Sequence, residues 1–211
     1  MKISLIDYDV GNIFNLTRAF EYLGVQVNLT RDPREIRNSD KIILPGVGAF
    51  QTGMDSLKKF GLDQEVIAFQ KSGKPLLGIC LGMQLLFEKG YEDGEWAGLG
   101  IIEGEVKKFP EARAKEYTVP HMCWNKVNLS KSFDKNPAVQ QLVKGVEKDP
   151  FFYFVHSYYV DTKPQNTVLS CSYANIDFAA GVRKDNVVGY QFHPERSGPS
   201  GLNLLKNFVD P

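Results

Sequence analysis

The segment Gly78-Ile79-Cys80-Leu81-Gly82 has the residue types and spacing of a nucleophile held at a sharp turn. An apolar run precedes Cys80 and a helical pattern follows it, so the cysteine stands where a strand enters a helix. The two glycines permit the turn and close packing around it. A helix N-terminus favours the thiolate, and the N–H of Leu81 is placed to meet the oxygen that becomes negative during attack on an amide. The segment is also compatible with a core cysteine in a glycine-rich turn.

A second motif, Gln191-Phe192-His193-Pro194-Glu195, follows an apolar strand near the C-terminus. A thiol nucleophile needs a base that moves a proton near neutral pH, and the imidazole of His193 suits this task. A carboxylate two residues later, on Glu195, can hold the ring in orientation. Pro194 stiffens the connection between the two side chains. Together with Cys80, this motif predicts a Cys-His-Glu triad.

The other histidines and cysteines indicate no further chemistry. His121 and His156 lie in aromatic segments, and we expect both to be hydrogen-bonded structural residues. No pair of histidines has metal-ligand spacing, so the sequence predicts no metal site. The three cysteines, Cys80, Cys123 and Cys171, are widely spaced and contain no Cys-x-x-Cys pair. This spacing favours neither a disulfide framework nor a zinc site, and it fits a reducing cytoplasm.

Composition narrows the class of protein. The 211 residues are 43% hydrophobic and 24% charged, which predicts one soluble domain spanning 1–211. Lys+Arg and Asp+Glu number 25 each, so no charge excess favours nucleic acid or an anionic membrane. Asp7 interrupts the first apolar run too early for a signal peptide. The run Phe151–Val155 is far shorter than the ~20 residues of a membrane helix. We therefore expect a cytoplasmic protein without a cofactor.

The first half of the chain alternates between strand and helix patterns. Predicted strands cover Ile3–Asp7, Val25–Leu29, Lys41–Leu44 and Pro75–Ile79, and predicted helices cover Ile13–Leu23, Thr52–Lys71 with an interruption at Gly61, and Leu81–Glu88. Such alternation predicts an α/β fold with a mainly parallel central sheet and helices on both of its faces.

The second half is richer in β-branched and aromatic residues. These residues concentrate in the runs 98–109, 126–129, 151–160, 168–173 and 178–192. The segment Lys184-Asp185-Asn186 is typical of a hairpin turn, so we expect additional, partly antiparallel strands. A helix over roughly 201–208 is predicted near the end of the sequence.

Beyond these two motifs, several segments resemble a known family. Gly78–Gln84 and His193–Glu195 are similar to the two signatures of class I, or triad, glutamine amidotransferases. Further segments resemble one branch of that family, the glutaminase subunits of imidazole glycerol phosphate synthase. These segments are Asp7–Asn12, Leu44–Phe50, Pro120–Asn125, Tyr153–Tyr159 and Phe192–Gly198. The resemblance runs in order along essentially the whole chain.

The resemblance implies a role for each matching residue. Cys80 would attack the side-chain amide of glutamine, His193 would transfer the proton, and Glu195 would orient the histidine. The peptide at Val47-Gly48 would supply an oxyanion donor beside the N–H of Leu81. The residues implied in holding the rest of the substrate are Gly46, Gly48, Gln84, Ser157 and Tyr158.

The resemblance also implies a partner. Ammonia released from L-glutamine would pass to a separate (β/α)8-barrel cyclase subunit, forming a heterodimer that makes imidazole glycerol phosphate and aminoimidazole carboxamide ribotide in histidine biosynthesis. Phe14 and Cys123 depart from the family pattern, which usually has a basic residue and a glycine there. A paralogue that feeds ammonia to another acceptor, such as a surface-sugar precursor, is therefore one alternative. A γ-glutamyl-type cysteine hydrolase and a non-enzymatic binding subunit are others.

Overall fold

Fourteen strands form three sheets in the computed structural model, which describes residues 1–110, 117–129 and 136–210. The strands are β1 (Ile3–Ile6), β2 (Val27–Thr30), β3 (Lys41–Leu44), β4 (Leu76–Ile79), β5 (Phe87–Gly90), β6 (Trp96–Ala97), β7 (Ile102–Lys108), β8 (His121–Lys126), β9 (Asn128–Leu129), β10 (Phe151–His156), β11 (Tyr158–Thr162), β12 (Thr167–Tyr173), β13 (Ile176–Lys184) and β14 (Val187–Tyr190).

The largest sheet has eight strands in the order β2-β1-β3-β4-β14-β13-β12-β9. The first five strands in this order, β2, β1, β3, β4 and β14, run parallel to one another. The last three, β13, β12 and β9, each pair antiparallel with the strand before them. The smaller sheets are β10-β8 and β11-β7-β5-β6. The predicted α/β class is confirmed, including the antiparallel strands from the second half. The topology also places β4 and β14, which precede the two candidate motifs, side by side.

Helices cover both faces of the large sheet. They are α1 (Ile13–Tyr22), α2 (Pro33–Arg37), α3 (Phe50–Lys59), α4 (Leu62–Lys71), α5 (Leu81–Gln84), α6 (Pro137–Leu142) and α7 (Gly198–Val209). The core beneath α1, α6 and α7 receives Leu77 and Ile79 from β4, whereas Leu76 packs into the core beneath α2, α3 and α4. Alternate residues of a buried strand thus fill two cores. None of the helices in the described residues is long and apolar enough to cross a membrane.

The predicted helix Leu81–Glu88 is wrong beyond its first turn. The helix α5 ends at Gln84, and Phe87–Gly90 forms strand β5 instead. Leu85, Leu86 and Phe87 are all fully buried, which a helix in contact with one core on one side does not allow. Backbone N–H groups of residues 98–102 donate to the carbonyls of residues 85–88, so contacts distant in sequence end the helix and override the helical pattern.

Other boundaries follow the sequence more closely. The interruption at Gly61 is confirmed, because that residue has a φ of +67° between α3 and α4. The hairpin turn is confirmed between Lys184 and Val187. The predicted run 151–160 divides at Ser157 into β10 and β11. The short helices α2 and α6 were not predicted, although Asp32-Pro33 and Asn136-Pro137 supply the cap and first residue that such helices favour.

Candidate active site

Cys80 is the single residue between β4 and α5, and its backbone is strained. Its φ is +53° and its ψ is −115°, a combination that residues other than glycine rarely adopt. Such a conformation costs of order 1–3 kcal/mol and persists only where the surrounding structure imposes it. Here the Cys80 N–H donates to the carbonyl of Tyr190 at 2.8 Å, which ties the elbow to β14. The predicted sharp turn from strand to helix is therefore present at Cys80.

Neither glycine of the elbow, Gly78 or Gly82, has room for a side chain. A Cβ at Gly82 would lie 1.9 Å from the carbonyl oxygen of Leu44, and one at Gly78 would lie 2.8 Å from the Cα of Met83. Both contacts are with backbone atoms, which cannot move aside as the end of a long side chain can. The Gly-x-Cys-x-Gly spacing thus lets α5 pack directly on the end of β3.

His193 and Glu195 form a buried pair in the turn after β14. The Nδ1–H of His193 donates to Oε1 of Glu195 at 2.8 Å, and the two side chains are 4% and 2% exposed. The hydroxyl of Ser197 donates to the His193 carbonyl at 2.6 Å and accepts the N–H of Tyr153 at 2.9 Å, which fixes the turn. Because Nδ1 carries the proton, Nε2 is the basic nitrogen. That atom has no hydrogen bond of standard geometry from the described residues.

The electrostatics of this pair involve Cys80. Burial lowers the pKa of His193, but the neighbouring Cys80 and Glu195 side chains outweigh burial and raise the pKa to about 10. An opposite charge close to a ring stabilises its protonated form. The three side chains therefore suit a thiolate–imidazolium pair, with Glu195 holding the imidazole.

The segment after β3 packs on the elbow. The carbonyl of Gly46 accepts the N–H of Leu81 at 3.2 Å, and the carbonyl of Pro45 accepts the hydroxyl of Tyr8 at 2.5 Å. A Cβ at Gly46 would lie 2.8 Å from the backbone nitrogen of Gly82, so only glycine fits. The Leu81 N–H, which sequence reasoning assigned to the oxyanion, is thus occupied by a carbonyl here.

The peptide that faces the elbow joins Gly46 to Val47, one residue before the Val47-Gly48 peptide proposed from the sequence. With its carbonyl toward Leu81, this peptide points the N–H of Val47 away from the site. Gly48 has a φ of +99°, and an added Cβ would meet no other atom. Glycine is therefore needed here for the backbone conformation and not for lack of space. The proposed oxyanion site is therefore closed in this structure, because its Leu81 N–H already has a hydrogen-bond partner.

A cavity of about 500 Å³ opens beside Cys80. Its lining includes the predicted residues Val47, Gly48, Leu81, Gln84, Ser157 and Tyr158. The Nε2 group of Gln84 donates to the carbonyl of Tyr158 at 3.0 Å and to Oε1 of Gln191 at 2.9 Å. Both amide hydrogens are therefore used, and Gln84 keeps only its carbonyl oxygen for a ligand. The structure brings these six residues together around one space beside Cys80, whereas the predicted residues Gly46, His193 and Glu195 do not line it.

Comparison with known proteins decides the family. The family model for class-I glutamine amidotransferases matches residues 4–211. The chain belongs to the class I glutamine amidotransferase family. Relatives named imidazole glycerol phosphate synthase subunit HisH align along nearly the whole amidotransferase. The protein from Wolinella succinogenes is 43% identical over 209 residues, covering 99% of this chain and 98% of its own length. The one from Methanosarcina acetivorans is 44% identical over 211 residues, with the same coverage.

Solved structures show the same fold at lower identity. A crystal structure described as glutamine amidotransferase has a TM-score of 0.73 at 17% identity, covering all of this amidotransferase and 98% of the other chain. A chain of PurLQS from Thermotoga maritima has a TM-score of 0.71 at 17% identity, covering 99% and 97%. Identities this low extend the comparison to the fold alone.

The residues near Cys80 that the sequence did not predict include two with polar side chains, Glu92 and Gln191. Glu92 contributes a carboxylate to the cavity, and its Oε2 accepts the N–H of Phe50 at 2.6 Å. Gln191 bridges Gln84 and the nucleophile, with its Nε2 3.9 Å from the Cys80 sulfur. Gln191 precedes His193 by two residues, a strand spacing that could have identified it. Glu92 lies in a loop, and no pattern marks it.

His121 and His156 are hydrogen-bonded to each other within the amidotransferase, as predicted. The Nδ1 of His121 lies 2.9 Å from the Nε2 of His156. Among the residues that the structure describes, no group of three or more histidines, cysteines and acids has the arrangement of a metal site.

Proposed function

We propose that this chain is the glutaminase subunit of an imidazole glycerol phosphate synthase. It hydrolyses L-glutamine to glutamate and ammonia and delivers the ammonia to a cyclase subunit. The observation that carries the proposal is the strained Cys80 beside the buried His193–Glu195 pair. The HisH relatives, which are 41–44% identical over nearly the whole chain, support the choice of pathway.

The chemistry follows from the proton positions. His193 Nε2 holds the proton of the Cys80 thiol, and the resulting thiolate sulfur bonds to the side-chain amide carbon of glutamine. The amide π electrons move to the oxygen, and the C–N bond then breaks as His193 returns the proton to the departing ammonia. A γ-glutamyl thioester remains on Cys80. Water, deprotonated by the same Nε2, attacks the thioester, and glutamate leaves as the thiol is restored.

The amino-acid end of glutamine is held by complementary charges. The free carbonyl oxygen of Gln84 and the carboxylate of Glu92 are acceptors at the cavity wall, and they suit an α-ammonium group. Backbone groups of Gly48, Ser157 and Tyr158 line the same cavity and serve the α-carboxylate. A cavity with separate groups for an α-ammonium and an α-carboxylate favours a free amino acid over a peptide, in which these groups are blocked.

An exposed apolar surface beside the triad is the proposed contact with a (β/α)8-barrel cyclase subunit. Met122 and Trp124 of β8 and Phe151 of the paired strand β10 are all at least half exposed. Trp124 packs against Tyr153, and the guanidinium of Arg196, next to Glu195, lies 4.2 Å from the centre of the Tyr153 ring. Large exposed apolar side chains grouped in this way are typical of an interaction site.

The test measures ammonia released from glutamine by the chain together with its cyclase subunit and a ribulosyl-type nucleotide ligand. We expect turnover that disappears in Cys80→Ser and persists in the matched control Cys123→Ser, whose thiol is exposed and outside the triad. Turnover retained by Cys80→Ser would contradict the assignment. Hydrolysis of γ-glutamyl peptides at rates similar to glutamine would instead indicate a γ-glutamyl hydrolase. Copurification with another acceptor enzyme would indicate a paralogue.

A further inference from the structure

Four hydrogen bonds join Asn125 to the wall of the glutamine cavity. Asn125 Nδ2 lies 3.2 Å from His121 Nε2, His121 Nδ1 lies 2.9 Å from His156 Nε2, and His156 Nδ1 lies 2.7 Å from the Tyr158 carbonyl. The same carbonyl accepts from Gln84 at 3.0 Å. A carbonyl can only accept, so His156 Nδ1 must carry the proton. A neutral ring then leaves Nε2 as an acceptor, which places the next proton on His121 Nδ1.

The two rings are fixed in this arrangement. His121 is fully buried and stacks between Phe154 and Tyr173, with ring centres 4.7 Å and 3.8 Å away. Burial lowers the pKa of His121 to about 4 and that of His156 to about 3, so both rings are neutral near pH 7. Neutral rings with one set of partners have a single tautomer each. The direction of every hydrogen bond is therefore determined.

This series of hydrogen bonds ends at the carbonyl of Tyr158, which orients the side-chain amide of Gln84. Tyr158 and Gln191 each accept one hydrogen of the Gln84 amide, and this pairing turns its oxygen toward the cavity. If the amide turned over, its NH2 group would face the α-ammonium of glutamine, and two donors would oppose each other. The carbonyl that prevents this is itself held by His156.

We propose that His121 and His156 are positioning residues for glutamine binding. They hold the Tyr158 carbonyl where it fixes the Gln84 amide with its oxygen toward the substrate. The inference rests on the proposed glutaminase function and adds to it a determinant of substrate affinity outside the triad. His156 acts through Tyr158, and His121 acts through His156 from a position that does not line the cavity.

The test compares two replacements at His156 for glutamine affinity. In a Cys80→Ala background, which binds without turnover, calorimetry gives the dissociation constant for glutamine. His156→Leu removes the donor to Tyr158 and should raise that constant about tenfold, the effect of one lost hydrogen bond. His156→Asn places an amide N–H near the former Nδ1 and should stay within about threefold of the parent, since it keeps this one hydrogen bond. Its thermal stability should still fall, because His121 loses its acceptor.

His121→Phe keeps the stacked ring and removes only its polar atoms, so its dissociation constant should rise about threefold, less than in His156→Leu because its effect is indirect. In the Cys80-containing versions, the KM for glutamine should change with kcat nearly constant, and alkylation of Cys80 by iodoacetamide should keep its rate. Equal losses of affinity in His156→Leu and His156→Asn, or losses confined to kcat, would overturn the positioning role. Failure of the Cys80→Ala parent to bind glutamine would instead overturn the proposed function.

Discussion

The closed oxyanion site predicts that the isolated chain is a poor glutaminase. The Gly46 carbonyl occupies the Leu81 N–H at 3.2 Å, and the peptide that holds it points the Val47 N–H away. Removing one oxyanion donor costs roughly 3–4 kcal/mol, or about 10²–10³ in rate. An activation this large requires that the closed peptide be favoured over the open one by a similar free energy in the isolated chain, and that binding of the cyclase subunit and its nucleotide ligand reverse this preference.

The assay is steady-state glutamine hydrolysis by the pure chain, alone and with the cyclase and its ligand. We expect kcat to rise at least 10²-fold in the complex, since one donor is worth that much. Alkylation of Cys80 in the isolated chain is the control, because this reaction forms no oxyanion and should already be rapid. Equal turnover in the two conditions would refute the closed-site explanation. Slow alkylation of the isolated chain would place the defect in the nucleophile instead.

Three further predictions concern single residues. Cys80→Ala should abolish glutamine hydrolysis while leaving ammonium-dependent synthesis by the partner. In urea titrations, the free energy of unfolding of Cys80→Gly should exceed that of Cys80→Ala by about 1 kcal/mol, because glycine adopts the positive φ without strain. His193→Ala should lower kcat by about 10³-fold or more and Glu195→Gln distinctly less, measured by ammonia release; equal losses would contradict the division into base and orienter. His121 has a pKa of about 4 when folded and gains a proton on unfolding below pH 6.5, so stability falls with pH in that window by about 1.4 kcal/mol per unit. His156, with a folded pKa of about 3, contributes a similar slope, so His121→Phe should lower the total slope by about 1.4 kcal/mol per pH unit in urea titrations between pH 6 and pH 5, and an unchanged slope would contradict the low pKa of His121.

The sequence predicted the parts of the fold that depend on local pattern. Alternating strand and helix periods identified the parallel sheet, and Gly61 identified the break between α3 and α4. The triad could be proposed from the sequence because two of its members stand beside residues that the geometry requires, namely the glycines around Cys80 and the proline after His193. Parallel β4 and β14 then bring the two motifs together.

The remainder depends on contacts between segments far apart in sequence. Strand β5 forms because residues 98–102 pair with it, and no local feature of Phe87–Gly90 reports that pairing. Glu92 reaches the cavity from a loop, and only the folded chain shows it. The orientation of the Gly46-Val47 peptide is fixed by its hydrogen bond from Leu81, which a glycine-rich sequence permits but does not specify.

The most direct test of the central claim is to trap the covalent intermediate. The chain with its cyclase subunit and nucleotide ligand is mixed with glutamine, quenched in acid during turnover, digested, and examined by mass spectrometry. We predict a γ-glutamyl group on the peptide that contains Cys80, absent when Cys80→Ser is used. Turnover without any such adduct, or an adduct on Cys123 or Cys171, would contradict the assignment of Cys80 as the nucleophile.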